Sequence, residues 1–269
     1  MSPLTYHVES HRAKSALGTL MRSAYRVCER CVGPPYSTKY RDRPLSKVIS
    51  RRFGFVYVVN LLAASRTFLD HFVRNPPVDF GAHVVRLPFE ELYTRFPECK
   101  SYVTFSVVRN PWHRMVSCYN KKVLNANNIK RIGILAQYEG LYPQMDFPSF
   151  VAWLCSEEGA DENADLHWIS QSCALSDEAG TFRCNHHLRL EKIETQYRRL
   201  CKRLGLPSHP LPHQAASTDQ LYEPVHKSYQ AYFASLSAPL LKRIGQRYEQ
   251  DALRFGYPKL HSFVKEQAR

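Results

Sequence analysis

Long apolar runs, signal-peptide features and nucleotide-loop motifs are all missing from this chain of 269 residues. No stretch reaches about 18 consecutive apolar residues, the length that suggests a membrane-spanning helix. Residues 1–25 lack the apolar core of a secretory signal peptide, so we expect a cytoplasmic protein. No G-x-x-x-x-G-K-S/T loop occurs, which argues against an ATP- or GTP-dependent P-loop enzyme.

Paired cysteines are also scarce. The chain has eight cysteines, but only Cys28 and Cys31 are spaced as a C-x-x-C pair. No second such pair and no close Cys/His pair completes the spacing of a zinc finger. We therefore expect buried or free thiols and no bound metal, with a metal or redox role for this one pair as the alternative.

Acidic residues are outnumbered by basic ones. The sequence holds 24 Asp and Glu against 37 Lys and Arg, which gives a formal net charge of +13 and a pI near 9.4. Such a charge favours an anionic partner, namely a nucleotide, a nucleic acid, an acidic glycan or a membrane surface, although a solvated surface explains it equally. No nucleic-acid recognition motif and no repeated basic-aromatic pattern is present, so we do not expect nucleic acid as the partner.

The composition that is present, 44% hydrophobic and 12% aromatic residues, is that of a globular protein. β-branched and aromatic runs predict strands over residues 53–59, 83–88 and 101–109. Helical segments alternate with these strands, which predicts an α/β fold with a central parallel sheet flanked by helices and a helix-rich C-terminal half. We divide the chain into a basic helix-and-loop extension over residues 1–50 and a single domain over residues 51–269.

Apolar periodicity, early prolines and a terminal glycine predict the helices. They cover residues 10–30, 89–98, 111–124, 146–157, 190–206 and 237–257, and a turn that opens a further helix is predicted within residues 61–75.

Two predicted strands end where a helix begins, after Val59 and after Val108. In open parallel sheets ligands bind beyond the carboxyl ends of the strands, where helix N-termini favour phosphate or sulfate. The second junction adds Arg109 at the strand end and Ser117 about two turns into the helix. A guanidinium and a hydroxyl suit a phosphate monoester, whereas the alternative is a salt-bridged arginine and an ordinary helical serine.

The segment FSVVRNPWHRMVSCYNKK, residues 105–122, resembles the 3′-phosphate-binding segment of sulfotransferases, particularly the Golgi-type carbohydrate sulfotransferases and their bacterial relatives. That pattern is a hydrophobic strand, Arg-Asp-Pro, a further arginine and Ser-x-Tyr, and Asn110 here replaces the aspartate. Three more segments resemble the family in the same order. They are LHWISQ (166–171), HHLRLEKIETQYRRLCKRLGL (186–206) and RYEQDALRFGY (247–257).

The resemblance covers about residues 53–258 and implies a P-loop-NTPase-like sulfotransferase fold. It implies that 3′-phosphoadenosine 5′-phosphosulfate is the donor and that Arg109 and Ser117 contact its 3′-phosphate. The acceptor would be a hydroxyl or amine of a carbohydrate or small molecule, with the basic charge leaning toward an anionic one. It also implies no metal, and it makes the Golgi lumen the alternative compartment if a membrane anchor lies outside this chain or was removed.

The chain departs from the family at the loop that should hold the 5′-phosphosulfate. The family has Pro-Lys-x-Gly there, and the sequence VYVVNLLAASRTFLDHF has neither lysine nor glycine in the loop. One alignment puts Asn60 under the lysine and another puts Leu62 there. Arg66 with Ser65 and Thr67 could take over the anion contacts, or a lysine from elsewhere could reach in. The remaining alternative is a nucleotide- or glycan-binding relative with weak or no catalysis.

Direct sulfuryl transfer needs a base for the acceptor. His83 is the preferred base, because Gly81 precedes it as in the glycine–histidine context of some carbohydrate enzymes. His167 in the His-Trp segment is the alternative, and Asp70 and His71 are weaker candidates.

Other residues of the resembling segments receive different roles. Ser217 and Lys227 lie in the interval of the family's late loop, and we expect them to contact donor phosphate. Arg189 and Glu191 are interpreted as structural residues that lock the following helix.

Overall fold

A computed structural model describes residues 44–125, 129–207, 209–212 and 229–267 of the chain. The predicted helix over residues 10–30, the C-x-x-C pair and the predicted donor contacts Ser217 and Lys227 lie outside the described residues.

A five-stranded sheet with the order β3-β1-β2-β4-β5 forms the centre of the fold. Its strands are β1 (Lys47–Ser50), β2 (Phe55–Val58), β3 (Ala82–Val85), β4 (Val103–Val108) and β5 (His186–Arg189). β2, β4 and β5 are parallel, while β1 runs antiparallel to both β2 and β3. The α/β fold class is therefore confirmed, and β2, β4 and β5 all end at the same edge of the sheet.

Two of these strands are absent from the prediction. β1 is wholly buried between β2 and β3, and it lies on the N-terminal side of the boundary predicted at residue 51, a division that remains a prediction. Its antiparallel direction departs from the all-parallel expectation. β5, with the sequence HHLR, pairs with the end of β4 through its backbone, and its polar side chains gave no strand signal.

Helices cover both faces of the sheet. Their bounds are α1 (Ser65–Leu69), α2 (Phe89–Arg95), α3 (Pro111–Cys118), α4 (Ile129–Ala136), α5 (Phe147–Leu154), α6 (Gln171–Ala174), α7 (Ile193–Leu204), α8 (Tyr229–Ala234), α9 (Ala238–Arg247), α10 (Glu249–Phe255) and α11 (Leu260–Gln267). α1 and α3 each continue as a wider π-helical turn, Asp70–Arg74 and Tyr119–Leu124. In the part of the chain that the structure describes, no helix is both long and apolar enough to cross a membrane.

The helix predicted over residues 237–257 is wrong in one respect, because it consists of two helices, α9 and α10. They meet at Tyr248, whose backbone leaves the helical region with φ −107° and ψ 16°. The Tyr248 hydroxyl donates a 2.6 Å hydrogen bond to the carbonyl of Trp168, which fixes this break against the core.

The core has two layers, one on each face of the sheet. On one face Val56 and Val58 pack with the C-terminal helices, and on the other Phe55 and Tyr57 pack with α1 and α7. The second layer is strongly aromatic, and ring centroids of its members lie 5.0 to 6.5 Å apart. This packing holds α1, and with it the loop that precedes α1, firmly against the sheet.

Candidate functional site

Arg109 and Ser117 meet at the carboxyl end of β4. Arg109 Nη1 donates to Ser117 Oγ at 3.0 Å and to the carbonyl of Leu62 at 3.3 Å. α3 begins directly after the strand because the side chain of Asn110 accepts from the Trp112 backbone N–H at 2.9 Å and Pro111 occupies the first turn. The two residues that the sequence singled out for phosphate are thus together, while the binding itself remains a prediction.

The loop between β2 and α1 has a glycine-like backbone without glycine. Leu62 has φ +66° and Ala64 has φ +53°, values that cost about 1–2 kcal/mol for each non-glycine residue. Arg109 holds the Leu62 carbonyl, and Arg114 Nε holds the Leu61 carbonyl at 3.1 Å. Because such strain persists only where the surroundings impose it, this loop is a candidate functional segment.

The first turn of α1 follows this loop and carries the three residues proposed to replace the lost lysine. Arg66 is exposed, and Ser65 and Thr67 are partly buried. They are therefore close to the loop and open to solvent, as a contact with an external anion requires.

Asn60 lies inside the protein rather than on the loop surface. Its side chain is 1% exposed, and Nδ2 donates at 2.9 Å both to the Val107 carbonyl and to Gln171 Oε1. The Asn60 amide thereby ties the end of β2 to β4 and to α6. Leu62, the other position aligned with the family's lysine, is partly exposed.

Gln171 and Asp251 join two of the segments that carry the family resemblance. The Asp251 carboxylate accepts from the backbone N–H groups of Gln171 at 2.8 Å and Ser172 at 2.7 Å, and so caps α6. Gln171 in turn bonds both backbone groups of Arg109, at 2.9 and 2.8 Å. Burial raises the pKa of Asp251, and the two backbone donors oppose that rise. The network fixes the backbone of the phosphate-binding candidate.

Glu191 locks the other side of the same strand end. Its carboxylate accepts from the Asn110 backbone N–H at 2.9 Å and from the Tyr257 hydroxyl at 2.7 Å. Arg189 lies 4.2 Å over the Tyr257 ring and donates to the Gly256 carbonyl at 3.1 Å. These contacts agree with the structural role expected for Arg189 and Glu191.

Arg114 is a buried residue near the site to which the sequence analysis gave no role. It is 3% exposed and donates to the carbonyls of Leu61 at 3.1 Å, Leu166 at 3.2 Å and Ile169 at 2.7 Å. It therefore places the His-Trp segment beside the loop that precedes α1. In the sequence, Arg114 could be recognised as one of the residues of segment 105–122 that match the family pattern. That match does not indicate which groups Arg114 contacts.

His167 belongs to this neighbourhood, because the residue before it, Leu166, is bonded to Arg114. The Nδ1 atom of His167 contacts Asp165 Oδ1, and the His167 backbone N–H donates to the same oxygen at 2.8 Å. Burial lowers the pKa of His167, while the Asp165 carboxylate acts in the opposite direction. Burial thus disfavours the protonated ring of His167, while the adjacent Asp165 carboxylate favours it.

The other candidate bases lie elsewhere. His83 pairs with Ile49, which pairs with Val56, so His83 is level with the start of β2, about 13 Å along the strand direction from Asn60. The structure does not bring His83 to the edge where Arg109 lies, and its ring packs 5.7 Å from Phe96 instead.

The weaker candidates Asp70 and His71 lie in the π-helical extension of α1, and both already have side-chain partners. Asp70 forms an ion pair with Arg74 at 3.1 Å. His71 is 1% exposed and contacts the Tyr197 hydroxyl at 2.8 Å. Neither side chain is available to an acceptor in this arrangement.

One aromatic pair next to Arg109 was also missed. His113 stacks on Tyr229 at 4.2 Å, and it lies four residues before Ser117, on the same face of α3. The spacing to Ser117 was visible in the sequence, but the partner comes from α8 and could not be inferred. The edge of the His113 ring also packs against Phe263, 5.2 Å between ring centroids.

Among the described residues no group of three or more His, Cys, Asp or Glu side chains is placed to hold a metal ion.

Comparison with known proteins agrees with this architecture. No curated protein and no solved structure matches the chain. A family model described as "Sulfotransferase family" matches residues 47–258, a span that includes every strand of the sheet and all four segments discussed above. The chain therefore belongs to the sulfotransferase family.

Proposed function

We propose that the chain moves the sulfuryl group of 3′-phosphoadenosine 5′-phosphosulfate to a hydroxyl or amine of a carbohydrate or small-molecule acceptor. The observation that carries this proposal is the 3.0 Å contact of Arg109 with Ser117 at the end of β4, beside the strained loop that precedes α1. The formal charge of +13 favours an anionic acceptor.

The residues at the β4 end fit the 3′-phosphate of the donor. Within the described residues, Arg109 donates side-chain hydrogen bonds through Nη1 alone, which leaves Nη2 and Nε for an anion. The Ser117 hydroxyl can turn from Arg109 to a phosphate oxygen. His113 and Tyr229 offer an aromatic face for the purine of the same nucleotide.

The loop before α1 fits the 5′-phosphosulfate less completely. The backbone N–H groups of the loop and the partly exposed hydroxyls of Ser65 and Thr67 can donate hydrogen bonds to the anion. Arg66 is the basic residue nearest to this loop in the sequence. Because the Asn60 amide is committed inside the protein, we assign the charge role to Arg66 rather than to Asn60. Charge at the departing phosphate lowers the barrier of the transfer.

His167 is the better candidate for the base. Arg114 joins its segment to the loop through Leu166 and Leu61, whereas His83 is level with the opposite end of β2. A neutral imidazole takes the acceptor proton as the acceptor atom bonds to sulfur, the bridging sulfur–oxygen bond breaks, and its electron pair leaves with the phosphate.

The missing lysine favours a second candidate function, a protein that binds the nucleotide without turnover. Calorimetry with 3′-phosphoadenosine 5′-phosphate tests the shared binding site, and transfer from labelled donor to a panel of glycans and metabolites tests catalysis. Binding with turnover supports the enzyme, and binding without turnover supports the second candidate. If the nucleotide does not bind at all, both proposals are wrong.

A further inference from the structure

The Asp165 carboxylate contacts both the ring and the backbone of His167. One oxygen, Oδ1, contacts the ring Nδ1 and also accepts from the His167 backbone N–H at 2.8 Å. We propose that Asp165 is a positioning residue, which fixes the His167 ring with its proton on Nδ1 and leaves the Nε2 lone pair for the acceptor. This inference rests on the proposed sulfuryl transfer, since Nε2 serves as its base.

The position of Asp165 is set by its own turn. The residue is 1% exposed, and its backbone carbonyl accepts from the N–H groups of Trp168 at 3.1 Å and Ile169 at 3.0 Å. The turn thus fixes the Asp165 backbone, and the His167 backbone N–H holds the carboxylate oxygen Oδ1 beside the ring. That arrangement is what a base with a fixed tautomer requires.

Charged groups around His167 come from two elements. Asp165 lies on its own segment and favours the imidazolium, while Arg114 on α3 and Lys122 in the π-helical turn after α3 disfavour it. Asp165 contacts the ring at Nδ1, the nitrogen remote from the proton that is to be accepted. Asp165 therefore raises the pKa of His167, whereas burial and the two cations lower it.

The step balances without any further reactant. The acceptor oxygen or nitrogen bonds to sulfur, its proton passes to His167 Nε2, and the bond from sulfur to the bridging oxygen breaks with its electron pair leaving on the nucleotide. The His167 imidazolium then faces Asp165 through Nδ1–H, and it returns its proton to solvent before the next turnover.

The tautomer of His167 can be measured in the wild-type chain. In the full chain labelled with ¹⁵N-histidine, two-bond correlation spectra distinguish a protonated Nδ1 from a protonated Nε2, and His167→Gln assigns the signal. We expect a proton on Nδ1 and a bare Nε2 near pH 7.5. A proton on Nε2 would overturn the inference, whatever the activity of the protein.

Asp165→Asn supplies the kinetic test, with Asp177→Asn as its control. Asp177 likewise accepts backbone N–H groups within a turn, from Ala179 at 3.1 Å and Thr181 at 2.7 Å, but it faces no histidine among the described residues. We expect Asp165→Asn to lower kcat about 100- to 10 000-fold with unchanged affinity for 3′-phosphoadenosine 5′-phosphate, and to lower the pKa of His167. The control should do neither.

The outcomes separate this inference from the function on which it rests. A wild-type chain that binds no nucleotide and transfers no sulfuryl group contradicts the proposed function, while the tautomer still reports on Asp165. A wild-type chain that turns over, with Asp165→Asn within about twofold of its kcat, contradicts the inference alone. If Asp165→Asn does not fold, the tautomer of His167 in the wild-type chain decides whether the inference holds.

Discussion

The side-chain amide of Asn60 donates a 2.9 Å hydrogen bond to the side-chain oxygen of Gln171, inside the protein and beneath the loop that precedes α1. Gln171 Oε1 also accepts from the backbone N–H of Arg109 at 2.9 Å. The buried side-chain amide of Gln171 thus connects the end of β2, at Asn60, to the end of β4, at Arg109. The position that one alignment gives to the family's lysine is therefore a structural position in this chain.

Restoring the lysine should have opposite results at the two aligned positions. Asn60→Lys buries a charge and removes the amide contacts to Gln171 and Val107, so we expect the free energy of unfolding to fall by about 3 kcal/mol or more. Leu62→Lys places the charge on a partly exposed loop residue that already has φ +66°. We expect it to fold and to raise the transfer rate about 100-fold.

Urea unfolding and transfer from labelled donor measure these two effects, with Leu62→Met as the uncharged control. Equal loss of stability at both positions would contradict the buried placement of Asn60. A Leu62→Lys rate no higher than that of Leu62→Met would show that the loop does not meet the departing phosphate at this residue.

Arg109 and Ser117 should discriminate nucleotides by their 3′-phosphate. Arg109→Lys loses the two-oxygen geometry of a guanidinium, and we expect about 10- to 100-fold weaker binding of 3′-phosphoadenosine 5′-phosphate. Ser117→Ala removes one hydrogen bond and should cost about 1 kcal/mol of binding. Neither change should alter the affinity for adenosine 5′-phosphate, which lacks the 3′ group.

Calorimetry with both nucleotides checks this pair, and Arg198→Lys on the exposed face of α7 is the matched control. Equal weakening for both nucleotides would mean that Arg109 supports the fold rather than the 3′-phosphate. No weakening for either would place the nucleotide elsewhere.

The sequence was informative where one segment carries the whole signal. β4, the Arg109 turn and α3 follow one another along the chain, and their residues contact each other within a few positions, so pattern and resemblance located them. Arg114 also stands in that segment, but its carbonyl partners Leu61 and Leu166 lie more than 50 positions away. Its role depends on tertiary contacts that no local pattern encodes.

The same limit explains the other misses. β5 gains its strand character from backbone pairing with β4, because its sequence HHLR lacks a strand pattern. The choice between His83 and His167 depended on sheet register, since β1 separates β3 from β2 and its presence was not predicted. The inward direction of Asn60 likewise follows from partners on β4 and α6.

His71 should make the protein acid-sensitive. Burial lowers its pKa from 6.5 to about 4 in the folded state. Below pH 6.5 the unfolded chain binds a proton that the folded protein resists, so stability present above that pH is lost as the pH falls toward 4. Between pH 7 and 5 we expect a loss of about 2 kcal/mol.

Urea unfolding at several pH values measures this loss. His71→Gln removes the titrating group, and its unfolding free energy should vary less across the same range, whereas the exposed His261→Gln should behave as the wild type does. If His71→Gln keeps the full pH dependence, another group is responsible.

Two buried tyrosines on the aromatic face should respond oppositely to loss of their hydroxyls. Tyr197 bonds His71 at 2.8 Å, whereas the Tyr57 hydroxyl, fully buried in the same layer, has no hydrogen-bond partner among the described residues. Tyr197→Phe leaves the His71 ring nitrogen unpaired, so we expect a loss of about 1–2 kcal/mol.

Tyr57→Phe removes a polar atom that is already desolvated and unpaired, so we expect stability to be unchanged or higher by about 1 kcal/mol. The two variants carry the same chemical change in one aromatic layer, where Tyr57 and Tyr197 both adjoin Phe68, at 5.1 and 5.4 Å between ring centroids. Their difference therefore isolates the partner rather than the ring. A Tyr57→Phe variant that loses as much stability as Tyr197→Phe would show that the Tyr57 hydroxyl does have a partner in solution, such as a buried water.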